Sequence, residues 1–369
     1  MKHYQPGKMG MADGTGLIFM FALSIIFLTT PAQELASSAG LAWLQALVSS
    51  LASLVMVGII FYVFLHVPGD LFTVCEVLLS KWGARAAMVY FIGAFWGDHT
   101  LILRQYAEHT LLTALPFAEF SIVIALYGLT ASLLVYIGIE GMARASYLLT
   151  PFVVVALVLV LVMLYPFYNS HHLAPYMGMG MGTCVVNGLV MAGVNFGVML
   201  LPILASSFQS VSTIARSALF GMGLFTTLHS AAVLVYTMVF GVSMGQERVL
   251  PFFSMARTVY LSRYLQHLEA FFIVVWSILG AISLAFDLFA GLYCLIRLGN
   301  LPALRPLIPL VGIGLMQLAM IPPDIYTAIE LFQYIGYYYN IGTYALPLIL
   351  LAALLIKRKG KVKIPWAAD

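Results

Sequence analysis

The chain has 369 residues, of which 62% are apolar and only 8% charged, against about 45–50% and about 25% in a soluble domain. That charge cannot cover a water-facing surface, so a soluble globule, a disordered chain and a disulfide-stapled secreted scaffold are excluded. Lys and Arg (17) nearly balance Asp and Glu (14), the formal charge is +3 and no basic stripe exists for nucleic acid. The composition is that of a polytopic membrane protein.

A helix crossing a hydrocarbon core of about 30 Å needs roughly 20 apolar residues, because every backbone polar group must be satisfied within the segment. Ten segments meet that requirement: 14–36, 41–65, 86–112, 119–139, 146–167, 184–206, 217–241, 270–296, 303–321 and 331–356. The short loops between them leave no room for a soluble catalytic domain. The first segment has some features of a secretory leader, with Lys2 and Lys8 before it and Ala36-Ser37-Ser38-Ala39 after it. Removing it would strand the basic C-terminal tail, 357–369, on the wrong side.

With both termini cytoplasmic, Lys2, Lys8, Lys81, Arg85, Arg144, Arg216, Arg297, Arg305 and the tail residues Lys357, Arg358, Lys359, Lys361 and Lys363 all lie inside. The positive-inside bias therefore selects an even number of spans. Arg104, Arg248, Arg257 and Arg263 fall to the outer side or the membrane interior. The expected fold class is an all-α integral membrane domain, 1–369, of two five-helix halves, 14–167 and 184–356.

Each half opens on a proline-bearing span, with Pro31 in "FLTTPAQELASS" and Pro202 in "VMLLPILASS". Both prolines are expected near the outer third. Matching interruptions in two halves point to inverted repeats and a binding site at the midplane. The sixth span also carries Gly193, Asn195, Phe196 and Gly197. Glycine costs about 1 kcal/mol inside a helix and proline about 3, so this span is expected to unwind between Gly193 and Gly197. Unwinding frees amides for a carboxylate and carbonyls for an ammonium, which together suit a zwitterionic amino acid.

Ionisable groups inside the membrane are costly and few. Asp98 in the third span has no local cation except His99, whose side chain points about 100° away, and reads as a site or cavity residue or as an interhelical hydrogen-bond partner. Asp287 in the eighth has none and is a candidate for a cavity, an ion or a proton. Arg104 and Glu108, one turn apart, are expected to pair. His229 reads as a core histidine, and Tyr337–Tyr339 as a packing face or interfacial belt. No HExxH, GxSxG or P-loop occurs, His171-His172 cannot both face one metal on a helix, and Cys75, Cys184 and Cys294 share no ligand spacing. Neither an enzyme nor a metal or cofactor site is expected. Phe95, Phe196 and Trp96 could wall a ligand pocket.

Three stretches carry a family resemblance: "PAQELASSAGLAWLQAL" after the first span, "YIGIEGMARASYLLTP" at 136–151, and "LPFFSMARTVYLSRYLQHLEAFFIVVW" at 250–276. They resemble the B subunit of GerA-type spore germinant receptors, the spore germination permeases of the amino acid/polyamine/organocation superfamily. Gly138, Glu140, Ala143, Arg144 and Pro151 are the most specific part. The resemblance implies a LeuT-like fold and a place in the spore inner membrane or cell membrane. It also implies a small nutrient ligand, an amino acid, and other receptor subunits as partners. The alternative is an ion-coupled amino acid permease.

Glu140 and Arg144, spaced i, i+4, read as a structural clasp on the cytoplasmic side, and Glu269 matches a family carboxylate, whereas His267 stands where the family has arginine. The family's glycine break in the first span is missing, with Ser24 the only small polar residue before Thr29, so that span is not expected to unwind. Ser24 remains the first span's contribution to the ligand site.

Overall fold

The computed structural model describes residues 7–259 and 268–359. Among them the secondary structure is helical, apart from an isolated bridge between Met9 and Phe208. Helix α1 (Met11–Leu23) gives way to a 3₁₀ turn at Ser24–Phe27 and resumes as α2 (Thr30–Ser38). Pro31 stands in the first turn of α2, where a missing N–H leaves no bond unmade. The first span is therefore broken, which corrects the expectation drawn from its missing glycine. Tertiary contacts hold the bend instead: Ser24 Oγ donates to the Phe21 carbonyl at 2.7 Å and meets Ser283 Oγ at 3.1 Å, and the Tyr106 hydroxyl donates to the Ser24 carbonyl at 3.3 Å.

Ala39 turns the chain into α3 (Ala42–Phe64), where the hydroxyls of Ser37 and Ser38 both donate to the Gln45 amide oxygen. Helix α4 (Leu71–Leu79) is too short to span and has no counterpart in the ten-segment reading. Asp70 caps it, accepting from the Thr73 N–H at 3.0 Å and hydroxyl at 2.6 Å. The same carboxylate, 4% exposed, pairs with Arg297 at 2.7 Å and accepts from the Tyr293 hydroxyl at 3.3 Å. Removing one partner of a buried pair leaves the other charge uncompensated. Arg297→Ala is therefore expected to destabilise the protein by about 3 kcal/mol, read as a lower melting temperature in detergent. Arg297→Lys should fall between the two.

Helix α5 (Lys81–Thr113) has 33 residues, a length of about 50 Å, so it runs past the hydrocarbon core. Only Gly138 separates α6 (Phe120–Ile137) from α7 (Ile139–Met163), and its φ of 101° lies where a side chain is strained. Glu140 and Arg144 pair at 2.5 Å on the first turn of α7, with side chains 39% and 67% exposed. Exposed pairs of this kind contribute about 0.3–0.5 kcal/mol. Arg144→Ala should leave the melting temperature in detergent nearly unchanged. A large fall in melting temperature would mean that the pair does more than this exposed geometry allows.

The second half runs through α8 (Met181–Met191), a 3₁₀ segment at Ala192–Met199, α9 (Leu200–Ile203), α10 (Val211–Gly245), α11 (Pro251–Thr258) and α12 (Leu268–Gly299). It ends with α13 (Leu307–Ala319), α14 (Ile325–Asn340), a π turn at Ile341–Ala345 and α15 (Leu346–Lys359). Capped ends carry several helices past the expected boundaries: α10 starts at Ser210, which accepts from the Thr213 N–H, and α14 at Asp324, which accepts from the Thr327 N–H. Among the described residues, eight helical stretches are long and apolar enough to cross a membrane, and Met11–Phe27 and Leu307–Ala319 are shorter apolar helices. The centre of the core is α12, whose Leu284–Tyr293 stretch is buried on every face between α1, α5, α6 and α7.

The Met9 N–H donates to the Ser207 carbonyl at 2.9 Å, Gly7 lies against Glu140, and Lys357 donates to the Val77 carbonyl. One end of the bundle thus collects the N-terminal segment, the α6–α7 turn, α4 and the end of the sixth span. Pro202 lies toward this end, whereas Pro31 begins the half-helix leading away from it. The expectation that both prolines sit near the outer third is corrected, because the two spans run in opposite directions.

Candidate functional site

The interruptions in the first and sixth spans meet at the middle of the bundle. Across Ala192–Met199 the α-helical ladder gives way to 3₁₀ geometry, and Asn195 (φ −87°, ψ 15°) leaves helical backbone altogether. The Ser53 hydroxyl takes up the Ala192 carbonyl at 3.0 Å. Gly197 lies against the Phe21 ring so closely that a Cβ would collide with it. Phe21 in turn packs edge-on against Phe286 of α12 at 6.1 Å.

Between the breaks is a cavity of about 10 Å³, lined by Phe21, Ser24, Asp98, Asn195, Phe196 and Gly197 among others. It has room for about one water. A molecule larger than water fits only if the breaks move apart. Phe95 packs on Phe196 at 4.9 Å, and Phe196 stacks on Tyr339 at 4.2 Å, forming an aromatic wall behind the cavity.

Asp98 on α5 and Asp287 on α12 are 5% and 0% exposed. Their carboxyls face one another, with the Tyr339 hydroxyl of α14 beside both. Both oxygens of Asp287, the Tyr339 hydroxyl and the Asn195 amide oxygen are buried and close no hydrogen bond. Among the described residues no Arg, Lys or His forms an ion pair with either carboxyl. The neighbouring His99 points elsewhere, its Nδ1 meeting the Leu284 carbonyl at 2.8 Å. The arrangement gathers two carboxyls and a hydroxyl beside the closed cavity, a place that suits a shared proton or a positively charged group.

Ser24, Asp98, Asn195, Phe196 and Gly197 thus line one cavity, with Phe95 and Asp287 directly behind it. Gly193 does not line it: it faces the Gly336 carbonyl, where a Cβ would come within 2.5 Å. Trp96 is not a pocket wall either, since it packs against Gly291 of α12. The side chain of Glu269, together with His267, lies outside the described residues. Arg104 and Glu108 pair at 2.5 Å, away from the cavity, and Arg104 also donates to the Pro323 carbonyl at 3.2 Å.

Two features escaped the sequence reading. Tyr339 is 1% exposed inside the site, while Tyr337 and Tyr338 are 60% and 66% exposed on the bundle surface. Three consecutive tyrosines on a helix must point three ways, which is the signal that one of them faces inward. His229 is buried against Glu34 at 3.2 Å, joining α2 to α10. Glu34 lies in the "PAQELASS" element, and a carboxylate so near an apolar span calls for a partner.

A bundle of long apolar helices, two of whose spans break and meet at a closed cavity, is an integral membrane protein. The chain belongs to the spore permease family, described as spore germination protein, whose model matches residues 10–332. Among solved structures, MhsT in complex with L-phenylalanine is similar over 95% of this chain and 99% of its own, at 13% identity and a TM-score of 0.66. A Na+-coupled sialic acid symporter in a substrate-bound outward-open state is similar over 95% and 80%, at 15% identity and a TM-score of 0.62. Mhp1, a nucleobase-cation-symport-1 family transporter closed on bromovinylhydantoin, is similar over 96% and 81%, at 13% identity and 0.62. At these identities the likeness establishes the fold, the LeuT type. No curated protein matches the chain.

Proposed function

We propose that this chain is the membrane subunit of a spore germinant receptor, placed in the spore inner membrane. It binds a small nutrient, an amino acid, at the bilayer midplane and passes the resulting movement to partner subunits. In this reading ten spans form two inverted five-helix repeats, 14–167 and 184–356, and both termini are cytoplasmic. Lys8, Arg144, Arg297 and Lys357 then share the inner end with the basic tail. Pro31 and Pro202 fix the half-helices, and Glu140, Arg144 and Glu269 serve the structure and its assembly.

The observation that carries the reading is the convergence of both backbone breaks on one closed cavity with Asp98 and Asn195 in its wall. Backbone amides at a helix break receive a carboxylate, and Asp98 with Asp287 receives the ammonium. Ser24 and Gly197 border the space, and Phe95 and Phe196 close it with an apolar face that discriminates by shape. Gly193 serves the break rather than the ligand.

An ion-coupled amino acid permease is the second reading, favoured by the facing carboxyls of Asp98 and Asp287, a place for a coupling cation or proton. Purified protein separates the two. Binding of radiolabelled amino acids without uptake into proteoliposomes is the result expected of the receptor. Accumulation driven by a proton or sodium gradient is the result expected of the permease.

A further inference from the structure

A second cavity lies between α2, α8, α14 and the turn at 246–249, on the side of the closed site away from the N-terminal segment. Its volume of about 470 Å³ falls in the range of small-molecule sites. Val194 lines both this cavity and the small closed one, so a residue of the sixth-span break is the wall between them.

Arg248 lines the larger cavity. Its guanidinium stacks on Phe240 at 4.1 Å, and its Nε is buried and has no hydrogen-bond partner. Arg104, Arg144 and Arg297 each hold a carboxylate, but among the described residues Arg248 holds none. A guanidinium fixed by an aromatic face and aimed into a concave space lacks only its planar anion. Glu247 lies on the same wall, and Gln33 and Gln333 flank the opening from α2 and α14.

We propose that this outer cavity is a separate recognition site for a carboxylate-bearing molecule of amino-acid size. Arg248 grips the carboxylate with two parallel N–H bonds, and Glu247 meets a positive group at the other end. Occupancy places the molecule against Val194, one residue layer from the closed cavity. The site stands on its own geometry and does not require the inner site to bind the same molecule.

The test uses the full chain in lipid nanodiscs and an equimolar mixture of radiolabelled L-amino acids as probe. Retention is compared among the wild type, Arg248→Gln, Arg248→Lys and Asp98→Asn, with melting temperatures confirming that each variant is folded. Arg248→Gln should lower affinity about ten- to hundredfold, as expected for losing charge-assisted bonds. Arg248→Lys, which keeps the charge and loses the fork, should fall between. Amino acid amides should compete poorly with the labelled acids.

Retention in Asp98→Asn but not in Arg248→Gln would support the outer site and remove the inner one. Loss in Asp98→Asn with normal retention in Arg248→Gln would overturn the outer site and leave the inner one standing. Amides competing as well as acids, or a wild type that retains no label, would also overturn it.

Discussion

Gly197→Ala should destabilise the protein by at least about 1–3 kcal/mol, the cost of overpacking a filled core, and abolish ligand binding. The added Cβ would occupy the place of the Phe21 ring, which is buried and braced against Phe286. A backbone shift of Phe21 that relieved the clash would reach the break at Ser24–Phe27, because Ser24 Oγ donates to the Phe21 carbonyl. The single methyl therefore acts on both broken spans. Thermal melts and amino acid binding read the effect, and Phe21→Leu combined with Gly197→Ala should recover much of the stability. That recovery is the coupling expected of residues in contact. Equal stability of Gly197→Ala and wild type would mean that the two spans do not meet at this point.

The second large effect is expected at Asp287, with opposite signs for stability and function. Two carboxyls face one another in the core without a basic partner, so ionising either one there is opposed by burial and by the other, and an amide of the same shape removes that cost. Asp287→Asn should thus melt at the same temperature or higher. It should also weaken binding of amine-bearing ligands by about 2–5 kcal/mol, the usual cost of truncating one partner of a buried charged contact. A purely structural Asp287 would give the reverse pattern, a lower melting temperature with binding intact. Asp98→Asn should behave in the same way.

The sequence was informative where a rule of local chemistry applies. Glycine at 193 and 197 around Asn195 marks the sixth-span break, because glycine and a backbone-competing side chain weaken a helix wherever it is placed. The first-span break left no such mark. Ser24–Phe27 is held by Ser283 from α12 and Tyr106 from α5, and contacts from 259 and 82 residues away have no local pattern. The same reason hid the neighbours of Asp287. An isolated intramembrane carboxylate announces a site, but that Asp98 and Tyr339 stand beside it is a property of how α5, α12 and α14 pack. Helix α4 was missed because a segment of 9 residues meets no length criterion for spanning. The prolines were misplaced because the sense of each span across the bilayer follows from topology, not from its own residues.

In the proposed function the breaks at 24–29 and 192–199 act together as the walls of one binding site. Hydrogen exchange of the protein in nanodiscs, with and without the amino acid mixture, tests this at the backbone. Peptides covering both segments should be protected together when amino acids are added, and Gly197→Ala should remove the protection from both. Protection confined to one segment, or exchange unchanged at both while the label is retained, would contradict it.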